Sequence, residues 1–408
     1  MTDSPSPTEK LYLDDSYTVS FTANLVSCER QDDGSYAAVL DRTFFYPESG
    51  GQLPDSGRIG DVDVTSVWED DAGVVYHGVT SQVGEGDVTC EIDWKRRQEH
   101  MHHHTGQHIL SRAFIDVGNL HTISFHMGDE VCTIDVEGPK ISDAIVDESE
   151  NLANTVVQEN RSVIIKSVAR EDLDNDALRK KLPTDVDVAR LVEVEGFDVI
   201  GCCGTHVRRT GELALIKVLK TEKARGAHRV YFKAGRRALE DFQRKHNIVK
   251  RLSKHFTTGV DGIEDKVEKL QSDTRTLRKE MKALSASLAK YEANAMVESA
   301  RVVGKRRFVV MVLKRDDEFI KLLASELRKK DNTVSLLGGP SGRITCVASP
   351  DTEVDLCEAA VKCAESAGGS GGGKGGFAAL QLPPGADVER TLGKIYEALK
   401  TLQVKGER

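Results

Sequence analysis

The chain has 408 residues, a formal net charge of −9, 39% hydrophobic and 30% charged residues. That length accommodates about two to four ordinary globular domains. No stretch nears the roughly 18 consecutive apolar residues of a membrane helix, and the polar start Met1–Lys10 lacks the apolar core of a secretory signal, so a cytoplasmic protein with no membrane role is expected.

Residues 11–94 read as short β segments, at Tyr17–Phe21, Tyr36–Leu40, Val62–Val67, Val74–Tyr76 and Val88–Ile92. Gly, Asp and Pro lie between them, as in a small barrel or meander. From about Arg96 the pattern changes. Ile109, Ala113 and Val117 recur at helical spacing, and Gly118-Asn119 closes that helix. Strands are expected over 122–136, 163–169 and 189–195, with a helix over Asp147–Asn160, which makes this block α+β.

Between Val207 and Lys254, fifteen Lys/Arg face four acids, a local +11 that leaves −20 for the rest of the chain. Such a basic window in an acidic protein is either a phosphate-binding face or a solvated surface. Ile263, Val267, Leu270, Thr274, Leu277, Met281, Leu284, Leu288, Tyr291 and Ala295 then alternate spacings of four and three. That is a heptad seam, hence a coiled coil or a long helical hairpin. A seam of this width suits a partner helix, from a second copy or from the same chain.

The block 302–408 reads as α/β. Strands are expected at Phe308–Leu313, Thr333–Leu337 and Ile344–Ser349, and helices near Asp317–Lys330, Glu353–Glu365 and Asp387–Leu402. Gly368–Gly376, with seven Gly in nine residues, reads as a loop.

The chemistry concentrates in two short motifs. His104-Thr105-Gly106-Gln107-His108 places two imidazoles on one helix face, and Cys202-Cys203-Gly204-Thr205-His206 repeats the interval in a turn. His104, His108, Cys202 and His206 together offer mixed N/S ligation, which favours one zinc ion per chain, with Cys203 the alternative to Cys202. The eight cysteines are too sparse for a disulfide framework and fit a reducing compartment. Four protein ligands close a site as structural zinc does, whereas hydrolytic zinc keeps a position open; spacing leaves both readings standing.

At these motifs the chain resembles the editing domain shared by alanyl-tRNA synthetase and the alanyl-tRNA editing proteins. The stretch from Phe45-Tyr46-Pro47-Glu48-Ser49-Gly50-Gly51-Gln52 to Gly57 resembles that family's glycine-rich motif, and Ile92–Arg97 and Ser124–Gly128 agree with it. The Gly368–Gly376 segment resembles the DHH-associated C-terminal domain of the long forms. The resemblance implies four domains: an N-terminal β-barrel over 1–94, a zinc-binding editing domain over 95–250, a coiled-coil arm over 251–301 and a C-terminal α/β domain over 302–408. It implies a trans-acting deacylase that hydrolyses the ester of tRNA(Ala) misacylated with serine, and with glycine. It places Glu48, Ser49, Gly50, Gly51 and Gln52 near the substrate and makes Gln107, Thr122 and Ser124 candidates for the reacting pocket. Arg208, Arg209, Lys223, Arg225, Arg229 and Lys374 are the candidate tRNA contacts, and the arm or the C-terminal domain would join two copies. The rivals are a zinc hydrolase for another misacylated tRNA, such as Ser-tRNA(Thr), and a tRNA-binding protein without catalysis.

Overall fold

A computed structural model describes residues 6–138, 140–174, 176, 178–182, 187–224 and 226–405. They form two compact units, divided between Leu252 and Ser253. The fold is α+β, and Arg225 lies outside the described residues.

Six strands of the first unit close a barrel: β1 (Ser20–Arg30), β2 (Tyr36–Leu40), β3 (Gly57–Ile59), β4 (Val62–Glu69), β5 (Val75–Val79) and β6 (Gly86–Ile92). Their order is β1-β2-β5-β4-β3-β6. Inward residues such as Leu40, Ile59, Val64, Val67 and Val75 fill the barrel. Val64 and Val67 both point inward because a bulge between Val64 and Ser66 shifts the alternation by one residue. The expected strand Tyr17–Phe21 begins only at Ser20. The Tyr17 hydroxyl is drawn instead to Glu212, at 2.6 Å, and receives the Arg208 N–H at 2.8 Å.

Asp93 caps α1 (Trp94–Gly118) by accepting from Arg96 N, and Asn119 ends it in the left-handed region. The helix is buried on nearly every side from His100 to Leu110, which hides it inside this unit. It lies against α2 (Asp143–Gln158) and a sheet of order β12-β13-β8-β7, where β7 is His121–Met127, β8 Cys132–Glu137, β12 Ile216–Ala224 and β13 Ala227–Ala234. The expected single strand 122–136 is therefore a hairpin, folded back between Met127 and Cys132. A second sheet holds β9 (Val163–Ala169), β10 (Val188–Val194) and β11 (Asp198–Gly201). The last helix to begin in this unit is α3 (Gly235–Phe256).

The second unit opens with α4 (Ile263–Glu298), 36 residues long. A six-stranded sheet follows, of order β14-β15-β16-β17-β19-β18. Its strands are β14 (Arg301–Val303), β15 (Arg306–Val312), β16 (Thr333–Gly338), β17 (Arg343–Ala348), β18 (Ser370–Lys374) and β19 (Phe377–Gln381), with α5 (Asp317–Leu327), α6 (Cys357–Glu365) and α7 (Val388–Lys405) around it. Ala289 and Ala293 of α4 are buried in a cluster with Leu323 and Leu327 of α5. The expected glycine loop is a correction: Ser370–Lys374 is an edge strand paired with Phe377–Gln381. The backbones approach so closely that a Cβ at Gly373 would sit 2.0 Å from the Phe377 carbonyl oxygen, so the glycines permit the pairing. Helix α6 starts at Cys357, later than expected, because Glu353 takes the left-handed conformation at φ 48°.

Candidate metal centre and its cavity

The buried helix α1 brings His104 and His108 to one face, one turn apart. The turn after β11 brings Cys202 and His206 to the same point. The ligand atoms of the four side chains lie within 4.8 Å of one another. Cys202 Sγ is 3.4 Å from His104 Nε2 and 3.3 Å from His206 Nε2. Tetrahedral zinc with bonds of about 2.0–2.3 Å separates its ligand atoms by about 3.4–3.8 Å, so this set fits. His108 Nδ1 is buried without a hydrogen-bond partner among the described residues, but so are both nitrogens of His100 and His102 outside the cluster, so the fit rests on the ligand distances. Cys203 is exposed and stands outside the four-residue cluster.

Each of two ligands is oriented from behind. Thr205 N donates to Gln52 Oε1 at 3.1 Å, which fixes the amide's orientation. That oxygen also accepts from His104 Nδ1 at 2.8 Å, so Nε2 keeps its lone pair and faces Cys202. Gln52 Nε2 donates to Thr205 Oγ1 at 2.9 Å, which completes the side chain's bonding. Thr105 does the same for His206: its Oγ1 lies 3.0 Å from His206 Nδ1 and also accepts from Val207 N. Burial holds the imidazoles neutral, with His104 pushed down to about 3, and raises the Cys202 thiol to about 11.

The glycine-rich motif is stapled at its base. Tyr46 N and the Arg97 guanidinium both bind the Asp55 carboxylate, and Arg97 and Asp55 are fully buried. Arg97 Nη1 also donates to Ser16 O at 2.8 Å, and Nη2 to Phe44 O. Between these ends the loop turns through Gly50 and Gly51, both left-handed. A Cβ on Gly51 would lie 2.6 Å from the Phe125 carbonyl oxygen, while Met127 N donates to Gly51 O at 3.0 Å. Only glycine lets this loop press against β7.

A cavity of about 650 Å³ opens over the cluster. Its walls include Ser49 and Gly50 of the loop, Gln107 and His108 of α1, Thr122, Ser124 and Phe125 of β7, and Arg179. Gln107 Nε2 and Thr122 Oγ1 both donate to Ser111 Oγ, at 2.8 and 2.7 Å, while Ser124 donates to Asp135 at 3.0 Å. Glu48, Gly51 and Gln52 stand outside the cavity lining.

The candidate tRNA contacts lie elsewhere. Arg208 stacks over Tyr17 and lies 3.5 Å from Asp15, Arg209 donates to Asn160 O, and Arg229 forks onto Asp135. Lys223 is exposed on β12 and Lys374 on β18. Sequence reasoning missed Thr105, Thr205, Ser111 and Arg179. Thr105 and Thr205 sit inside the two ligand motifs and Ser111 lies one helical turn after Gln107, signals that were present; Arg179 is placed by tertiary contact.

Residues 189–231 match the threonyl and alanyl tRNA synthetase second additional domain. The alanyl-tRNA editing protein Aarsd1 of Rattus norvegicus is 31% identical over 382 residues, covering 89% of this chain and 91% of that protein. Aarsd1-B of Xenopus laevis is 28% identical over 95% of this chain and 98% of its own length. The alanine–tRNA ligase of Pyrococcus furiosus is 32% identical over 81% of this chain but 37% of the ligase. With four potential metal ligands clustered beneath one cavity and such a match along nearly its full length, the chain belongs to the alanyl-tRNA editing protein family.

Proposed function

We propose that this protein is a trans-acting deacylase that hydrolyses the ester of misacylated tRNA(Ala), with Ser-tRNA(Ala) and Gly-tRNA(Ala) as substrates, at a site holding one zinc ion. The observation that carries the reading is the convergence of His104, His108, Cys202 and His206 on a hydroxyl-lined cavity. The 31% identity over 91% of the rat editing protein supports the editing reading. The four side chains would hold the ion, which supplies Lewis acidity to polarise an ester carbonyl or anchor the aminoacyl end. Gln52 and Thr105 keep their histidines in the ligating tautomer. The loop at Ser49-Gly50 brings backbone to the substrate, and the Gln107–Ser111–Thr122 network faces its side chain. Beyond the bonds to Ser111, the Gln107 amide oxygen can accept from a serine hydroxyl, a pairing that neither alanine nor glycine offers, so this contact would favour serine over alanine and does not bear on glycine.

The tRNA body would meet Arg208, Arg209, Lys223 and Arg229 in the first unit and Lys374 in the second. Arg225 belongs to the same basic window. Lys223 and Lys374 are the most available, since Arg208 and Arg229 already face carboxylates. The seam of α4 exposes Leu270, Leu277, Met281, Leu284 and Tyr291, so a coiled coil with a second copy is the proposed use of the arm. The test of the zinc reading is chelation. Stripping zinc should abolish hydrolysis while far-UV circular dichroism persists, and full activity of metal-free protein would refute it.

A further inference from the structure

We infer that Arg179 is a substrate-binding residue that donates hydrogen bonds to an anionic oxygen of the nucleotide end entering the cavity. The inference takes the identity of the substrate from the deacylase reading; the placement of Arg179 stands independently of it. Arg179 lies on the cavity wall, and its side chain is only 6% exposed. Its Nε donates to Asp198 at 2.9 Å, and Asp198 is 1% exposed. Its backbone N donates to Val199 O at 2.9 Å, so both ends of the residue are fixed to β11, the strand that leads into Cys202.

Two buried arginines of this unit differ instructively. Arg97 satisfies its donors on Asp55, Ser16 and Phe44 and is complete within the protein. Among the described residues Arg179 Nη2 is buried with no hydrogen-bond partner, as are Asp198 Oδ2 and Arg190 Nη2, but of Arg179 and Arg190 only Arg179 lines the cavity over the candidate metal ligands. Burying an ion pair costs desolvation, and leaving a donor unmade adds to that cost. A guanidinium has donors only and cannot lose its proton, so Asp198 Oδ2 can complete one edge of it, and the part of the side chain on the cavity wall is left to an acceptor, which an anionic oxygen suits best. The aminoacyl ester's ammonium group would be repelled, which helps to orient it away from this wall. Two anionic oxygens arrive with the substrate. One belongs to the phosphodiester joining the terminal nucleotides. The other develops on the ester carbonyl when water adds to it. The same chemistry serves both, and experiment separates them.

The zinc-loaded full-length protein and its Arg179→Gln and Arg179→Lys variants are compared in two assays. One is equilibrium binding of the trinucleotide CpCpA; the other is steady-state hydrolysis of Ser-tRNA(Ala). Loss of CpCpA affinity by about tenfold or more in Arg179→Gln, partly restored in Arg179→Lys, assigns the contact to the phosphodiester. Unchanged CpCpA affinity with a tenfold fall in kcat at constant KM assigns it to the ester oxygen. Zinc content and melting temperature accompany each variant, and Arg179→Met, which keeps the apolar stem, replaces the Gln variant if that one unfolds. A folded variant with affinity, kcat and KM all at wild-type values overturns the proposal, as does wild-type protein that neither binds CpCpA nor hydrolyses any aminoacyl-tRNA. Wild-type protein that binds CpCpA through Arg179 but hydrolyses nothing would instead defeat the deacylase reading and leave this assignment standing.

Discussion

Gln52 shows how far a single side chain's role depends on the fold. The glycine-rich motif suggested a substrate contact, yet the amide is buried and fully engaged by His104 and Thr205. Its loss should act through the metal. Gln52→Leu is expected to weaken zinc binding by about 10–100-fold in a chelator competition, and wild-type affinity would refute the orienting role. Asp55 holds the same loop from its base. Asp55→Ala strands the buried Arg97 charge and should cost about 3–5 kcal/mol in urea unfolding; a change below 1 kcal/mol would contradict that account. The four candidate ligands were legible because an interval of four residues is local helix or turn geometry. The partners behind them were not, because Gln52 meets His104 only after the barrel has folded.

At the scale of elements, the long regular segments were readable and the special backbone was not. Helix α1 carried its period in Ile109 and Ala113 and its stop in Gly118-Asn119. The edge strand Ser370–Lys374 carried no strand signal at all, since five residues rich in glycine pair only because Phe377–Gln381 approaches closely enough. Buried histidines make the first unit acid-sensitive. His77, in the barrel, is held down to about 4 by burial, and His100, on α1, to about 2. Their folded values lie below the ordinary 6.5, so the unfolded state takes up protons first as pH falls below about 6.5. Stability should then drop by about 1.4 kcal/mol per pH unit for each histidine, down to about pH 4 for His77. Urea midpoints compared at pH 7.5 and 5 test this, and equal midpoints would contradict it.

For the whole molecule, the heptad seam was evident from the sequence, and the structure leaves most of it on the surface. Leu277→Glu and Leu284→Glu together should convert a sedimenting dimer to a monomer without loss of helix; a monomeric wild type would end that proposal. The division of labour between units was less legible, because a basic window in sequence does not reveal which cations are already paired. The central claim concerns the reaction. Purified zinc-loaded protein should be given Ser-tRNA(Ala), Gly-tRNA(Ala), Ala-tRNA(Ala) and Ser-tRNA(Thr) side by side, and the loss of each ester followed in time. Rapid loss of serine and glycine from tRNA(Ala), with alanine and Ser-tRNA(Thr) spared, is the predicted result. Equal loss of all four, or of none, from protein that holds its zinc would contradict the account.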